Sequence, residues 1–360
     1  MDHAIATLLT AAGKAPSGDN TQPWRFLVDE RTQRIELRVD PERDHSPMNA
    51  GQRMARIAVG AALENILRTA AFNGWEASLE ACTPPTLAAL RIQGDGCPGE
   101  IDRHLVARAS NRRVYDGTPI DLETTDTLLR HTPELDGIRT VWLCARDRLG
   151  PLADLVSHAD ALMFGAASLW QAILANVRFD AAATAEVREG MSLAALELSR
   201  LEQVVFKTLR RLPHGLVRGL GAIRKLARQS RRLVASASGL CLIVAPDEHS
   251  ATDVQVGRAL QRAWLALTAQ GLAAQPMMSA LVLENLARQG QSPSAGVCIA
   301  AIAKLEQDLR TQLPELGGGR LAFVLRFGHA AAPSGRTGRL PWQTRTTGLA
   351  ARVAEVNHVP

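Results

Sequence analysis

Residues 15–26, Ala-Pro-Ser-Gly-Asp-Asn-Thr-Gln-Pro-Trp-Arg-Phe, constrain this chain more than any other stretch. Upstream, Ala4, Leu8, Leu9, Ala12 and Ala15 repeat at helical spacing, which predicts a helix ending near residues 13–15. Pro16 cannot continue a helix, and Gly18, Asp19 and Asn20 favour a turn with exposed amides. Past Pro23, Trp24, Phe26 and Val28 alternate as in a strand. The product is a short polar loop held between a helix and a strand. It carries Ser17, Asp19, Asn20, Thr21 and Gln22, more hydrogen-bonding side chains than a connector needs. The bland alternative is an ordinary helix-to-strand turn.

Three further strings carry possible chemistry. Arg108-Ala109-Ser110-Asn111-Arg112 puts two guanidiniums and a hydroxyl in one short segment, which suits a phosphate dianion and equally suits a solvated helix end. Residues 271–279, Gly-Leu-Ala-Ala-Gln-Pro-Met-Met-Ser, read as a helix C-cap with a downstream proline. Near the end, residues 333–341 hold Arg336 and Arg339 among Pro, Ser and Gly, either a basic contribution to a site or a solvated tail.

The remaining chain is organised around these strings. Residues 34–39 form a second strand paired with 24–28, and residues 52–72 a helix whose Gly60 and alanines allow close approach of another helix. A Pro- and Gly-rich stretch surrounds a short strand at 87–92, and the boundary between two halves is placed near residues 94–103. Further strands are expected at 140–145, 239–245 and 321–328, with helices at 149–173 and 253–272. Residues 181–232 read as an insertion. Its later part, 207–232, holds nine Lys or Arg and no acid, interleaved with Leu, Val and Ile. A lid, a basic amphipathic surface for membrane or nucleic acid, and a packed helical pair with a solvated face all fit, and the lid is favoured.

Composition narrows the classes. With 360 residues the chain exceeds the usual size of one domain, and its Ala- and Leu-rich apolar content favours helices. A net charge of +5 is too small to argue for nucleic acid. No apolar run approaches the ~20 residues of a membrane span, and Met-Asp-His-Ala lacks a signal-peptide layout, so a cytoplasmic protein without integral membrane contact is expected. Cys82, Cys97, Cys144, Cys241 and Cys298 are scattered and read as reduced thiols; no metal site is expected.

The string Pro16-Ser17-x-x-Asn20-x-Gln22-Pro23-Trp24 resembles the flavin-edge loop of the nitroreductase family of FMN-dependent oxidoreductases. In that family Arg-x-Ser-x-Arg grips the FMN phosphate and ribityl chain, which Arg108, Ser110 and Arg112 match. Residues 271–279 resemble its G-L-x-x-x-P segment, whose backbone lies along the flavin ring, implicating Pro276, Met277 and Met278. Arg336 and Arg339 resemble its carboxy-terminal R-x-x-R-x-P stretch. Here the loop lies in the first half and the phosphate segment in the second, so each half keeps what the other lost. That is the pattern of one complete site inside a single chain, and it looks most like the tandem, Acg-like branch of the superfamily.

The resemblance implies an α+β, three-layer fold: a central, mostly antiparallel sheet flanked by helices, with two fused degenerate halves forming a pseudo-dimer. The halves are 1–103 and 104–360, the second carrying the insertion at about 181–232. It implies ping-pong hydride transfer from NAD(P)H through FMN to a nitroaromatic, quinone-like or pathway-specific small-molecule acceptor, by a monomer or homodimer. No side chain is assigned a catalytic role, and no GxGxxG marks a donor site. A non-catalytic flavin-binding or flavin-sequestering protein of the same fold is the alternative, and a membrane-surface protein using the basic segment is a third.

Overall fold

The computed structural model of the protein describes residues 3–94, 97–180, 188–247 and 249–348. In the first of two main sheets, β1 (Trp24–Asp29) and β2 (Arg34–Val39) run antiparallel, with Phe26 opposite Leu37 and Val28 opposite Ile35. These cross-strand pairs put the apolar side chains on one face, against α1 (His3–Ala12) and α2 (Arg53–Phe72). The antiparallel strands β3 (Glu76–Glu80) and β4 (Ala88–Gln93) extend one edge. At the other edge β11 (Thr346–Gly348) pairs parallel to β1, so the far end of the described chain completes the sheet begun by its start.

The second sheet has the order β5 (Arg139–Leu143), β8 (Gly239–Ala245), β10 (Arg320–Gly328), β9 (Ala273–Pro276), antiparallel throughout. Strand β8 reads Gly-Leu-Cys-Leu-Ile-Val-Ala without polar alternation because both its faces are covered. Cys241, Ile243 and Ala245 face α4 (Leu122–His131) and α10 (Ser250–Ala269). Leu240, Leu242 and Val244 face α5 (Arg146–Gly165), α9 (Ala222–Ala235) and α11 (Ser279–Arg288). The architecture is therefore α+β, with antiparallel sheets flanked by helices. The short α3 (Arg103–Ala107) precedes the Arg108–Arg112 segment; α12 (Ser292–Ala295) and α13 (Ile299–Gln312) close the layer beside α11.

The two sheet systems meet where α2 crosses α10. A Cβ on Gly60 would lie 2.0 Å from the carbonyl oxygen of Val254, and one on Gly257 would lie 1.9 Å from that of Ile57. The contact is reciprocal: each glycine faces the carbonyl three residues before the other. Arginine–carboxylate pairs bracket the crossing. Glu64 on α2 accepts from Arg258 (3.0 Å) and Arg262 (2.6 Å), while Asp253 on α10 accepts from Arg56 (2.7 Å) and Arg53 (3.4 Å). Between them the buried Asn65 accepts from Gln261 at 2.6 Å and donates to the Ala11 carbonyl at 2.9 Å, tying α1 into the pair.

Two expectations change. The single helix at 149–173 is two, α5 and α6 (Ala167–Ala175), because Ala166 between them is extended (φ −92°, ψ 122°). Residues 271–276 do more than cap a helix: Gly271 (φ 69°) turns the chain out of α10 and the next residues form β9 beside β10. β6 (Val177–Arg178), just before the expected insertion, and β7 (Met191–Ser192) within it make a two-residue parallel pair, followed by α7 (Arg200–Leu209), α8 (His214–Gly219) and α9. Residues 181–187, where the insertion was expected to begin, and residues 95–96, within the expected boundary, lie outside the described residues.

Gly60→Ala is expected to lower the unfolding free energy by about 1–3 kcal/mol, since a methyl forced against backbone must separate the helices. Gly215→Ala, in α8 with nothing within 4 Å of its would-be Cβ, is expected to raise it by about 0.5–1 kcal/mol. Urea unfolding of both variants beside the parent protein checks the contrast.

Candidate functional site

A cavity of about 590 Å³, within the range of small-molecule sites, opens against the α2–α10 crossing. Ile57 and Ala58 of α2 and Leu260 and Trp264 of α10 line it, so the crossing supplies an apolar wall. The polar wall comes from the segments singled out in the sequence. Pro16, Ser17, Asn20, Arg108, Ser110, Arg112, Pro276, Met277, Met278, Arg336 and Arg339 all line the same cavity. Asn20 and Ser110, ninety residues apart, thus share one space.

Gln22 does not line it. This side chain is fully buried and holds the surroundings together instead. Its Oε1 accepts from the Leu340 amide at 2.8 Å and its Nε2 donates to the Arg188 carbonyl at 2.6 Å. Asn20 works alongside: Nδ2 donates to the carbonyls of Arg188, Gly190 and Gly338 (3.2–3.3 Å), and Oδ1 accepts from Arg339 at 2.9 Å. Arg339 also donates to the Ala15 carbonyl at 3.1 Å. The loop therefore clamps both the insertion and the tail. The geometry needs Asp19, Asn20 and Gln22 at positive φ (46°, 59° and 52°), which Asp and Asn tolerate and which Ser17 holds by accepting from the Gln22 amide.

The arginine–serine segment is positioned by β9. Ser110 bridges to Ala274, and the Asn111 amide donates to the Ala274 carbonyl at 2.9 Å, so residues 108–112 lie along the strand that leads into Pro276–Met278. The Met277 amide is already used, donating to Val324 at 3.0 Å. Arg112 reaches the Ala195 carbonyl (2.9 Å) and the Met191 sulfur (3.3 Å) of the insertion. Arg336 donates to the Val106 and Ala107 carbonyls at the end of α3 (3.1 and 2.8 Å), a stabilising place for a cation.

Arg108 is the electrostatic centre. It is buried, lies 4.5 Å over the Trp264 ring, and donates to the Lys14 carbonyl at 3.0 Å. Its Nε has no hydrogen-bond partner among the described residues. Burial drives its guanidinium well below the ordinary value, and the like charges of Arg339 and Arg336 push the same way. Arg339 is itself lowered to about 10 by burial. Two desolvated cations, Arg108 and Arg339, with a third at the surface, are costly by themselves, a cost that a nearby negative charge would offset.

Other groups on the wall escaped the sequence reading. The buried Asp160 of α5 is hydrogen-bonded by Ser230 of α9 and Ser279 of α11, and burial raises its carboxyl above the ordinary range. Its signal was available: Asp160 follows Leu149, Leu152, Ala153 and Val156 on the apolar face of α5, where a carboxylate is out of place. Asp44 also lines the cavity and accepts from Thr21 at 3.2 Å; burial, then the nearby Asp19 charge, raises it to about 6. Next to the cavity, Arg326 is fully buried in β10, stacked 3.8 Å over Tyr115 and bonded to Gln275 at 2.8 Å. An arginine inside Leu-Ala-Phe-Val-Leu-Arg-Phe was its signal.

No family model matches the chain. An uncharacterized protein of Mycobacterium tuberculosis (strain CDC 1551 / Oshkosh) is 26% identical over 340 residues, 90% of this chain and 45% of that protein. Two proteins named, provisionally, NAD(P)H nitroreductases, from M. tuberculosis strains CDC 1551 / Oshkosh and ATCC 25618 / H37Rv, are each 31% identical over 124 residues, 32% of this chain and 35% of theirs. The chain spans less than half the length of the curated relatives it matches. Among solved structures, it is similar to the FMN-dependent nitroreductase NfnB from Mycobacterium smegmatis in complex with NADPH: 17% identity, 68% of this chain, 96% of that one, TM-score 0.37. A nitroreductase with bound FMN from Bacteroides fragilis NCTC 9343 gives 13% identity, 64% and 87% coverage, and a TM-score of 0.32. The relatives that carry a named activity match about a third of this chain.

The raised Asp44 predicts a pH dependence. Because its native value of about 6 exceeds the ordinary 3.8, the protonated form is favoured by folding; that contribution is present below about pH 4 and lost as pH rises through about 6. Asp44→Asn, which mimics the neutral form and tolerates the positive φ, is expected to gain about 1–2 kcal/mol over the parent near pH 8 and nothing near pH 4. Denaturant unfolding at the two pH values measures the difference.

Proposed function

We propose that this chain is an FMN-dependent oxidoreductase of nitroreductase type with one site per chain, taking electrons from NAD(P)H and reducing a small nitroaromatic, quinone-like or pathway-specific acceptor. Arg108 carries the reading: a buried guanidinium with an unpartnered Nε, beside two further arginines and facing a cavity with an apolar wall. Such a wall and such a cation cluster fit a planar ring joined to a phosphate. Bound there, FMN would supply reversible hydride transfer at its ring, in alternating half-reactions with donor and acceptor.

The chain's own groups do the rest. Arg108, with Ser110, Arg336 and Arg339, would neutralise and hold the phosphate; bidentate guanidinium donors suit it. Ser17 and Asn20 would orient the polar arm, and Pro16 would shape the loop around it. Pro276, Met277 and Met278 would line the ring, Met277 through its side chain since its amide is taken. Arg112, near the Asp19 carboxylate, would act through the insertion as much as on the ligand. Gln22 would be a positioning residue for loop and tail.

The division into halves 1–103 and 104–360 belongs to the same proposal. The reciprocal glycine crossing of α2 and α10 supports a pseudo-dimer within one chain, working as a monomer or homodimer in the cytoplasm. Met191, Ala195 and Ser230 line the cavity, which supports a lid role for the insertion. The same clamp of insertion to loop favours a second reading, a flavin-binding protein that shields its cofactor rather than turning it over.

The purified protein is expected to be yellow, to bleach with NADPH and to recover colour with a nitro compound; colour without bleaching assigns the second reading. Arg108→Met is expected to weaken FMN binding about 10- to 100-fold, as loss of charge-assisted bonds worth ~1.5–3 kcal/mol demands. Flavin fluorescence titration checks this, and an unchanged affinity removes Arg108 from the site.

A further inference from the structure

The insertion carries a second feature, independent of the cofactor. Helices α7, α8 and α9 share a small core in which Phe206, Leu209, Val217 and Ile223 pack around Trp170. That core occupies one side of each helix. On α7, Leu201, Val204 and Val205, at the i, i+3, i+4 spacing of a single face, are 74%, 61% and 45% exposed. Leu216 and Leu220, four residues apart at α8, are 56% and 69% exposed. Few large apolar side chains are exposed elsewhere on the described surface in such a group, and isolated ones need no explanation, whereas a cluster does.

The same segments are rich in cations, and Lys225 of α9 lies near Glu202 of α7. Residues 200–232 hold ten Lys or Arg and a single acid, Glu202. On α9, Arg224, Lys225, Arg228, Arg231 and Arg232 are exposed opposite the buried Ile223, Ala227, Leu233 and Val234. Arg231 is paired with Asp154 at 2.5 Å; no acid of α9 itself offsets the others. Among the described residues no helix is long and apolar enough to cross a membrane. Short helices broken at Pro213 and Gly221, with aliphatic side chains outward and cations beside them, match a surface that lies in the headgroup region rather than one that spans it.

We propose that the α7–α9 face docks peripherally on an anionic lipid bilayer, Leu201, Val204 and Leu220 entering the interface and the α9 cations meeting the headgroups. Because Met191, Ala195 and Ser230 of the same insertion line the cavity, docking would set the cavity's cover against the lipid.

Sedimentation of the full chain with vesicles tests this. Partition into phosphatidylcholine vesicles containing about 30% phosphatidylglycerol, weakened about tenfold or more by raising salt from about 0.1 to about 0.5 M, is expected. Leu201→Ser/Val204→Ser/Leu220→Ser and Arg224→Gln/Lys225→Gln/Arg228→Gln, all exposed positions, are each expected to cost about tenfold in partition with circular dichroism and thermal unfolding unchanged. No partition, equal partition into neutral vesicles, or partition that survives both variants overturns the proposal. So does a self-association of the free protein that the serine variant abolishes, which would assign the face to a second copy.

Discussion

The contact between Gly60 and Gly257 is the constraint on which the rest of this structure depends. Two helices whose backbones approach until a methyl group would collide with a carbonyl cannot slide or rotate independently. The arginine–carboxylate pairs around Glu64 and Asp253 and the Asn65–Gln261 bond fix the remaining degrees of freedom. Burying four such pairs adds little net stability compared with apolar packing, but removing one partner would strand a charge, so the register is strongly specified. The crossing fixes the two sheets against each other together with the tail, whose β11 joins the first sheet and whose Arg339 and Leu340 bond to the 15–26 loop, and the cavity wall of Ile57, Ala58, Leu260 and Trp264 is the crossing's outer surface.

Around that wall the protein accumulates unneutralised charge. Arg108 and Arg339 sit where desolvation is costly, with the exposed Arg336 beside them, and neither that burial nor the repulsion of Arg108 by the other two favours the arrangement. The cost is tolerated because hydrogen bonds fasten each group: Arg339 to Asn20 and Ala15, Arg336 to the end of α3, Arg108 to Lys14 and the face of Trp264. Of the buried nitrogens of these three arginines, the Nε of Arg108 has no partner among the described residues. Donors held in place by such bonds need no reorganisation to meet a negative group, which is why the proposed function rests on them. The opposite sign appears at Asp160, a buried carboxyl hydrogen-bonded by Ser230 and Ser279 and raised by its burial.

Much of this was legible in the chain. The loop at 15–26, the strands at 24–28, 34–39, 239–245 and 321–328, and the need for a close neighbour at Gly60 follow from local rules: turn chemistry, period-2 alternation, apolar runs and the missing Cβ. Eleven of the twelve residues expected at the site line one cavity. What local rules missed has physical reasons. The break at Ala166 directly follows Gly165, a poor helix former that the continuous apolar spacing on either side obscured, and β9 is a four-residue strand whose sequence, Ala-Ala-Gln-Pro, has little strand propensity and owes its state to β10. Gln22 was legible as polar but not as a clasp, because its partners, Arg188 and Leu340, lie about 166 and 318 residues away.

By itself, then, the sequence determined which segments bend, which extend and which carry donors, since those properties reside in side chains a few residues apart. Only the tertiary structure decided that the loop at 15–26, the arginine–serine segment and the tail enclose a common space. It also decided that Asp160 and Asp44 border that space, and that Leu201, Val204 and Leu220 face outward while Phe206 and Leu209 face in. These are questions of which long-range surfaces meet, and they are settled by the closest packing available to α2 and α10, an energy that no short stretch of chain contains.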